Sequence, residues 1–353
     1  MEKIKLGIVG AGGISRDRHI PAFQKLQDKV VLYGIQDIEE LRAKDLALKN
    51  NIEHVFTNYH DMFQEVDAVL VATPNKFHAE ITIAALEAGC HVLCEKPMAI
   101  TTAECEAMIE AASKAGKVLS IAYHYRFMRE AQAAKVVIQQ GEIGLPYVGR
   151  VQALRRRKVP GWGLFTNKDL QGGGGLIDYG CHLLDLALWL MGDPEPIEIS
   201  GTTYNYISKG HEQVNQWGKF DSTTFDVDDH ATGYIKFANG ASLLLETSWA
   251  ANIRGDANTL SLSGTDGGLD LWPFTLNKAK YGMLLNSEAE WIPGDETPDV
   301  QQAENFVDSC LGYSEPLVKP YEALKVSKII EAIYKSSESG KSIHLDLKER
   351  EIT

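Results

Sequence analysis

The chain has 353 residues, of which 44% are hydrophobic and 24% charged, with a formal net charge of −13 at pH 7. This length favours two domains, and the composition is typical of a globular protein rather than a disordered one. The acidic balance argues against nucleic acid or an anionic membrane surface as the main partner.

Short apolar runs alternate with stretches of helical spacing over residues 1–123, which we interpret as a first domain. Continuous apolar strands separated by helices predict a parallel sheet covered on both faces. This is the doubly wound α/β pattern of a Rossmann domain. The predicted strands are Ile4–Val9, Val30–Ile35, Ala68–Val71, His91–Cys94 and Val118–Ala122.

A glycine motif directly follows the first predicted strand. The segment from Gly10 to Ser15 fits G-x-G-x-x-G/A except at the last position, where Ser15 stands. Gly10 allows the tight turn, and Gly12 lets the backbone approach a pyrophosphate at the start of the next helix. A purely structural turn is the alternative. The residues predicted to bind a dinucleotide here are Gly10, Gly12, Gly13 and Ile14.

Asp37 follows the second predicted strand, where a carboxylate accepts hydrogen bonds from the ribose hydroxyls of NAD. A carboxylate there repels the 2′-phosphate of NADP, and the first arginine after it is Arg42. NAD is therefore favoured over NADP. A helix N-cap is the alternative role for Asp37.

Two further loops are expected at the carboxyl edge of the parallel sheet, where ligands of such sheets bind. Thr73 and Asn75 follow the strand Ala68–Val71, and they are either cofactor contacts or turn residues. Glu95, Lys96 and Pro97 follow the next strand. The Lys96 ammonium there is able to stabilise a developing alkoxide, so Lys96 is a candidate catalytic residue and Glu95 a candidate cofactor contact.

The pattern changes after Tyr123, and residues 124–353 are predicted to form an α+β domain with a mainly antiparallel sheet. A helix is expected at Met128–Gln140, and helices return near Gln301–Leu311 and Tyr321–Ser336. Ala238-Asn239-Gly240 is a predicted hairpin turn. The predicted strands are Tyr147–Lys158, Ile197–Ile207, His230–Phe237, Ala241–Trp249 and Asn258–Ser263.

Four glycines, Gly172–Gly175, precede a predicted helix that carries Asp178 and His182. The glycines are interpreted as a loop whose backbone approaches a ligand. Residues four apart share one helix face, and a carboxylate beside a histidine suits a general base. A metal site lacks a third ligand, so no metal is expected. A buried hydrogen-bonded pair is the structural alternative.

Other residues of this domain are candidates for the substrate. Trp162 lies in a predicted loop, and its ring is able to stack on a sugar, although tryptophans usually fill cores. Arg126 and Tyr123 either face the cleft or support it. The basic run Arg155–Lys158 could contact an anionic group of the substrate. A solvated strand end or a salt-bridge surface between subunits is the favoured interpretation.

The ordered set of motifs resembles the glucose–fructose oxidoreductase/inositol dehydrogenase (Gfo/Idh/MocA) family. The glycine loop, Glu95-Lys96-Pro97, Tyr123–Phe127 and the Asp178–His182 helix carry the resemblance, with Ser15 as a mild departure. The resemblance implies a Rossmann domain, then an α+β domain with a large open sheet, and homodimers or homotetramers built on that sheet. It assigns catalysis to Lys96, Asp178 and His182.

These residues predict NAD-dependent oxidation of a secondary hydroxyl on a sugar or polyol. In this hypothesis Lys96 and His182 meet over the nicotinamide, with Tyr123, Arg126, Trp162, Asp178 and His182 as substrate contacts. The alternatives are a NAD-binding sensor on the same fold, redox-neutral NAD-assisted glycoside cleavage, and reduction of an unsaturated or imine substrate.

Five cysteines at irregular spacing do not form a disulfide framework and are expected as reduced core residues. No sequence window reaches the roughly 18 apolar residues of a membrane span. No signal peptide is recognised. A cytoplasmic protein is therefore expected.

Overall fold

The computed structural model describes residues 3–210 and 214–345. The chain forms two compact units, one of Met1–Phe127 with Asp295–Leu324 and one of Met128–Gly294 with Lys325–Thr353. The first unit thus includes a segment from far along the chain, a return for which the local sequence pattern carries no signal.

The first unit contains a six-stranded parallel sheet in the order β3-β2-β1-β4-β5-β6. The chain leaves β1 toward one edge and then returns to build the other side. The order therefore reverses between β1 and β4, which is where doubly wound sheets bind ligands. The predicted parallel sheet is confirmed. Its strands are β1 (Ile4–Val9), β2 (Val30–Gln36), β3 (His54–Phe56), β4 (Ala68–Val71), β5 (His91–Cys94) and β6 (Leu119–Ile121).

Helices follow the strands of this sheet and end at recognisable signals. In the last of them, the Thr101 side chain accepts from the Glu104 N–H while Glu104 bonds back, which is a capping box. Gly116 ends the same helix at φ +61°, a conformation that favours glycine. The helices are α1 (Ile20–Gln24), α2 (Glu40–Asn50), α3 (Tyr59–Phe63), α4 (His78–Glu87) and α5 (Thr102–Ala115).

The second unit contains a nine-stranded mixed sheet in the order β14-β13-β12-β11-β7-β10-β9-β8-β15, where β7 pairs with β10 in parallel and every other pair is antiparallel. The predicted mainly antiparallel sheet is confirmed. Its strands are β7 (Pro146–Leu154), β8 (Pro196–Tyr204), β9 (His230–Phe237), β10 (Ser242–Ser248), β11 (Ala257–Gly264), β12 (Gly268–Leu271), β13 (Thr275–Lys280), β14 (Met283–Glu288) and β15 (Ile343–His344).

Buried and exposed side chains alternate along β9, which is typical of a sheet with one packed face and one open face. Every residue of α8 is buried, and all of them except His182 and Asp185 are apolar, as expected for a helix in the interior. The remaining helices are α6 (Arg129–Gln139), α7 (Lys168–Gln171), α8 (Cys181–Leu190), α9 (Pro298–Cys310) and α10 (Pro320–Ser339).

Helix α9 belongs to the core of the first unit. Val300, Ala303, Phe306 and Val307 are buried in the same apolar cluster as the strand residues of β1 and β4. The returning segment is therefore part of the Rossmann core rather than an appendage.

We expect Phe306→Ala to lower the free energy of unfolding by about 3–5 kcal/mol, because Phe306 is buried and its removal leaves a cavity. Urea unfolding of the full chain measures the loss. Tyr313→Ala is the matched control, since this aromatic side chain is exposed and its loss should change stability by less than about 0.5 kcal/mol. Equal effects of the two substitutions would show that α9 does not contribute to the core.

Candidate active site

The glycine loop after β1 is tied to its neighbours through the backbone. Gly10 has φ +102°, and a Cβ there would lie 2.3 Å from the carbonyl oxygen of Ala72. Its N–H donates to the Gln36 carbonyl at 2.8 Å, and Ser15 Oγ donates to the Gly10 carbonyl at 2.6 Å. Ser15, at the position where the motif departs from glycine or alanine, thus closes the loop with a hydrogen bond. Glycine is required at position 10 on both steric and conformational grounds.

The loop leaves room for a ligand. A Cβ built at Gly12 would meet no atom within 4 Å in the described part of the chain. Helical structure begins immediately after it, first as a π-helical segment, Ser15–His19, and then as α1. In the described ranges, Thr73 Oγ1 is buried without a hydrogen-bond partner. An open backbone, a helix start and an orphaned hydroxyl fit the phosphate and ribose oxygens of a dinucleotide.

Asp37 braces the same loop. Its Oδ2 accepts from the Ala11 N–H at 2.7 Å, and its Oδ1 accepts from the Glu39 N–H at 2.8 Å. Arg42 Nη1 lies 3.5 Å from Oδ1. The alternative role as a helix N-cap does not hold, because the N-cap of α2 is Glu39. Asp37 instead holds the turn between β2 and α2 and the start of the glycine loop. Because a carboxylate has about four acceptor positions, it is still able to accept a ribose hydroxyl.

The loops after β4 and β5 are joined by His78, a residue that the sequence reasoning missed. One ring nitrogen lies 2.9 Å from the Thr73 carbonyl oxygen, and the other lies 2.8 Å from the Pro97 carbonyl oxygen. The ring is fully buried, and burial lowers the pKa of His78. Its position just after Thr73-Pro74-Asn75 was the available signal. His78 fixes the spacing of the two loops that carry Asn75 and Lys96.

Glu95 is a buried carboxylate behind Lys96. Its Oε1 lies 2.6 Å from His19 Nε2 and 4.0 Å from Arg18 Nη1, and its Oε2 accepts from the Lys96 N–H at 3.1 Å. Burial would raise the pKa of Glu95, but the hydrogen bond from His19 and the charges of Arg18 and Lys96 hold it well below its ordinary value. The carboxylate is therefore ionised, and it fixes the Lys96 backbone.

His124 and Arg126 lie in the entry to the second half of the chain. The pKa of His124 lies well below its ordinary value, mainly because the ring is buried and also because the positive charge of Arg18 is near. Arg126 is buried, and its Nη1 donates to the Leu317 carbonyl at 3.1 Å and to Glu322 Oε2 at 2.5 Å. These contacts support the structural role that was left open for Arg126. Tyr123 is fully buried beside it in the chain.

The glycine run of the second unit is packed against the protein itself. A Cβ at Gly173 would lie 2.0 Å from the Tyr334 hydroxyl, and one at Gly174 would lie 2.0 Å from the Asp228 carbonyl oxygen. The Asp228 carboxylate accepts from the Gly174 and Leu176 N–H groups, each at 2.8 Å, and from Tyr334 at 2.7 Å. These two glycines are therefore required by internal packing, whereas a ligand was expected at this loop.

Asp178 lies in a π-helical segment, Leu176–Gly180, that continues into α8. Its Oδ2 accepts from Trp249 Nε1 at 3.0 Å and lies 3.9 Å from Arg155 Nη1. His182 lies four residues later, as the second residue of α8, and is largely buried. Short π segments inside helices are frequent at functional sites, and both predicted ligand-binding helices begin with one.

Aromatic rings surround Arg155 beside Asp178. The guanidinium carbon lies 3.8 Å from the ring centre of Tyr179 and 4.4 Å from that of Trp217. Trp162 packs on Trp217 with ring centres 5.4 Å apart and has 54% of its surface exposed. Trp162 is therefore not a core residue, and its ring is accessible to a ligand.

The rest of the basic run is held by the protein. Lys158 bonds to Asp256, Arg156 Nη1 donates to the Arg254 carbonyl at 3.3 Å, and Arg157 donates to the Ala251 carbonyl at 2.6 Å. This supports the structural reading for these three residues. Arg155 differs from them because it lies beside Asp178.

Each of the five cysteines is a free thiol. In residues 3–210 and 214–345, no group of three or more His, Cys, Asp or Glu side chains is arranged to hold a metal. Within the same ranges, no helix is long and apolar enough to cross a membrane.

The profile of an oxidoreductase family with an NAD-binding Rossmann fold, Gfo/Idh/MocA, matches residues 4–123. The profile of the Gfo/Idh/MocA C-terminal domain matches residues 131–270. The chain belongs to the Gfo/Idh/MocA family of NAD-binding oxidoreductases. The resemblance noted from the motifs is confirmed, together with the cofactor class.

The chain is 35% identical over 345 residues to the D-glucoside 3-dehydrogenase of Escherichia coli K12, and the alignment covers 97% of each chain. It is also similar to the aldose–aldose oxidoreductase of Caulobacter crescentus complexed with glycerol, with a TM-score of 0.82, 26% identity, and coverage of 98% of this chain and 100% of that one. A levoglucosan dehydrogenase solved with NADH and levoglucosan has a TM-score of 0.83 and 25% identity, covering 97% and 99%.

We expect Glu95→Gln to lower the free energy of unfolding by about 3–5 kcal/mol near neutral pH, because it removes the buried carboxylate that is hydrogen-bonded to His19 and lies 4.0 Å from the mostly buried Arg18 guanidinium. The pKa of Glu95 is depressed in the folded state. Its contribution is therefore present above the ordinary glutamate pKa of about 4.3 and is lost as the pH falls below it. The stability gap between wild type and variant should narrow in acid, as measured by urea unfolding at several pH values.

Glu304→Gln is the matched control for this series. Glu304 forms an ion pair with Lys29 at 3.0 Å but is half exposed, so its loss should cost less than about 1 kcal/mol. If the free energies of unfolding of wild type and Glu95→Gln differed by the same amount at every pH, the ionised, hydrogen-bonded state of Glu95 would be contradicted.

Proposed function

We propose that this protein oxidises a secondary hydroxyl of a neutral sugar, glycoside or polyol with NAD. The observation that carries the proposal is the Asp178 carboxylate, which accepts from Trp249 and lies 3.9 Å from Arg155, four residues before His182. The same family member also carries Lys96 on a loop that Glu95 braces. The full-length similarity to a D-glucoside 3-dehydrogenase supports the same substrate class.

In the proposed reaction the carbinol loses a proton from oxygen and a hydride from carbon and becomes a ketone. His182 takes the proton, and Asp178 stabilises the resulting imidazolium charge. The Lys96 ammonium donates to the same oxygen and stabilises the developing alkoxide. NAD, when bound, supplies the hydride acceptor.

The cofactor roles assigned from the sequence remain our proposal. Gly12, Gly13 and Ile14 would present backbone to the pyrophosphate at the start of the helix, and Asp37 would accept from ribose hydroxyls. Thr73 Oγ1 is the buried hydroxyl that a cofactor oxygen would satisfy. The other residues of this predicted cofactor-binding set are Gly10, Asn75, Glu95 and Lys96.

The substrate side of the proposal rests on the aromatic group in the second unit. Trp162 is exposed and stacks on Trp217, and such faces bind the apolar side of a sugar ring. Arg126 is less suited to a substrate role, because its guanidinium is committed to Glu322. Tyr123 stays a predicted substrate contact.

The open face of the nine-stranded sheet supports a homodimer or homotetramer. A shallow concavity of about 660 Å³ covers this face and mixes polar with exposed apolar side chains. Such a face suits association with a second copy of the chain. The concavity includes Arg150, Gln152, Thr202, Tyr234, Leu244 and Glu246.

The five free thiols fit a reducing compartment such as the cytoplasm.

We expect His182→Ala and Lys96→Ala each to lower turnover by about 10²–10⁴-fold with little change in NAD affinity, because both act on the reacting oxygen. NADH formation should be followed with inositols, hexoses, pentoses, sugar acids and disaccharides, and NAD affinity by calorimetry. His60→Ala and Lys44→Ala are controls at exposed positions.

Other results of that screen would assign other functions. Unchanged turnover in either variant would contradict the catalytic assignment. Tight NAD binding without turnover on any sugar would favour a sensor. Product formation without net NADH would favour redox-neutral glycoside cleavage.

A further inference from the structure

Arg155 is held in a fixed plane by two aromatic rings. Its guanidinium carbon lies 3.8 Å from the ring centre of Tyr179 and 4.4 Å from that of Trp217. The side chain is mostly buried, with 17% of its surface exposed. A guanidinium stacked in this way points its N–H groups in set directions.

One of those N–H groups has no acceptor. Arg155 Nη1 is buried, and within the described residues it has no hydrogen-bond partner. The Oδ2 atom of Asp178 lies 3.9 Å away, too far for a hydrogen bond, and accepts from Trp249. A buried donor without a partner in the protein is uncommon, and this one is able to donate to an oxygen atom of a bound molecule.

The neighbours of Arg155 do not share this feature. Arg156 and Arg157 donate to backbone carbonyl groups, and Lys158 bonds to Asp256. Three residues of the basic run therefore hold the adjacent loop, whereas Arg155 has an N–H group that is able to bind an oxygen atom of a ligand.

The spacing of the two polar atoms defines what fits between them. Atoms 3.9 Å apart can both reach one oxygen at a hydrogen-bond distance of roughly 2.8 Å. That oxygen must accept from Arg155 and donate to Asp178, which a hydroxyl group does and a carboxylate does not. An anionic group would be attracted by Arg155 but repelled by Asp178, and it has no proton for Asp178 to accept, so a hydroxyl fits both groups and a carboxylate fits only one.

We propose that Arg155 and Asp178 together bind one hydroxyl of the substrate, on a carbon next to the one that is oxidised, and so select neutral polyhydroxy substrates over sugar acids. The proposal rests on the proposed function, since it places the oxidised hydroxyl at His182, four residues after Asp178. Arg155 is thereby a specificity-determining residue.

The test uses the full-length chain as wild type, Arg155→Met and Arg155→Lys, with Arg156→Lys as the matched control. The probes are methyl β-D-glucopyranoside, its 2-deoxy, 3-deoxy, 4-deoxy and 6-deoxy analogues, and methyl β-D-glucuronide. Values of kcat/KM with NAD give each enzyme's preference for the parent glucoside. Calorimetric titration of the same probes onto the NADH complex measures binding without turnover.

We expect wild type to bind the parent glucoside about 10- to 100-fold better than one deoxy analogue at a carbon next to the oxidised one, and better than the glucuronide. Arg155→Met should lower the affinity for the parent glucoside to the affinity for that analogue. The affinity for the analogue itself should stay nearly unchanged. Arg155→Lys should recover only part of the difference, because it lacks the fixed plane. Arg156→Lys should behave as wild type.

An equal loss for the parent and every deoxy analogue would overturn the proposal, because it would mean that Arg155 supports the fold or holds only a water molecule. Selectivity that is unchanged in Arg155→Met would also overturn it. Binding that depends on Arg155 but yields no NADH in wild type would contradict the proposed function and the position of this hydroxyl next to an oxidised carbon, but not the hydroxyl contact of Arg155. Absence of binding by all probes to wild type would overturn this inference, whereas NADH formation with another sugar or polyol would leave the proposed function standing.

Discussion

A carboxylate removed from water must be fully hydrogen-bonded, and this constraint positions the candidate catalytic groups in each unit. Glu95 is held by His19 and by the Lys96 N–H, and Asp228 is held by the N–H groups of Gly174 and Leu176. Neither loop can move without leaving a buried carboxyl group short of hydrogen-bond partners, which is costly. The backbone that carries Lys96 and the helix start before Asp178 are therefore fixed before any ligand binds.

The two glycine-rich segments serve different physical purposes. The loop after β1 is open at Gly12, so an external group is able to approach the backbone. The run before α8 is closed, because Tyr334 and the Asp228 carbonyl occupy the space that Cβ atoms would need at Gly173 and Gly174. Glycine in a ligand-binding unit thus indicates close approach, but at Gly173 and Gly174 the approaching groups belong to the protein itself.

The parts of the structure that follow from local pattern were predictable. The alternation of apolar strands and helices predicted the parallel sheet, and the hairpin Ala238–Gly240 joins β9 to β10 as expected. The contacts between distant residues were not predictable. The pairs His19–Glu95, Arg126–Glu322 and Tyr334–Asp228 join residues far apart in sequence, so no window contains both partners. The return of α9 to the first unit was missed for the same reason. The strands β13 and β14 form a local hairpin but were missed because they are largely exposed and lack an apolar run or a clear alternation.

A double-mutant cycle on the rate of hydride transfer tests the central claim, that Lys96 and His182 act on the same substrate oxygen. The cycle would use wild type, Lys96→Met, His182→Asn and the double variant in single-turnover experiments with a substrate that gives NADH. If both side chains stabilise one reacting oxygen, the double variant loses much less than the product of the two single losses. Losses that multiply, as expected for independent sites, would contradict the account.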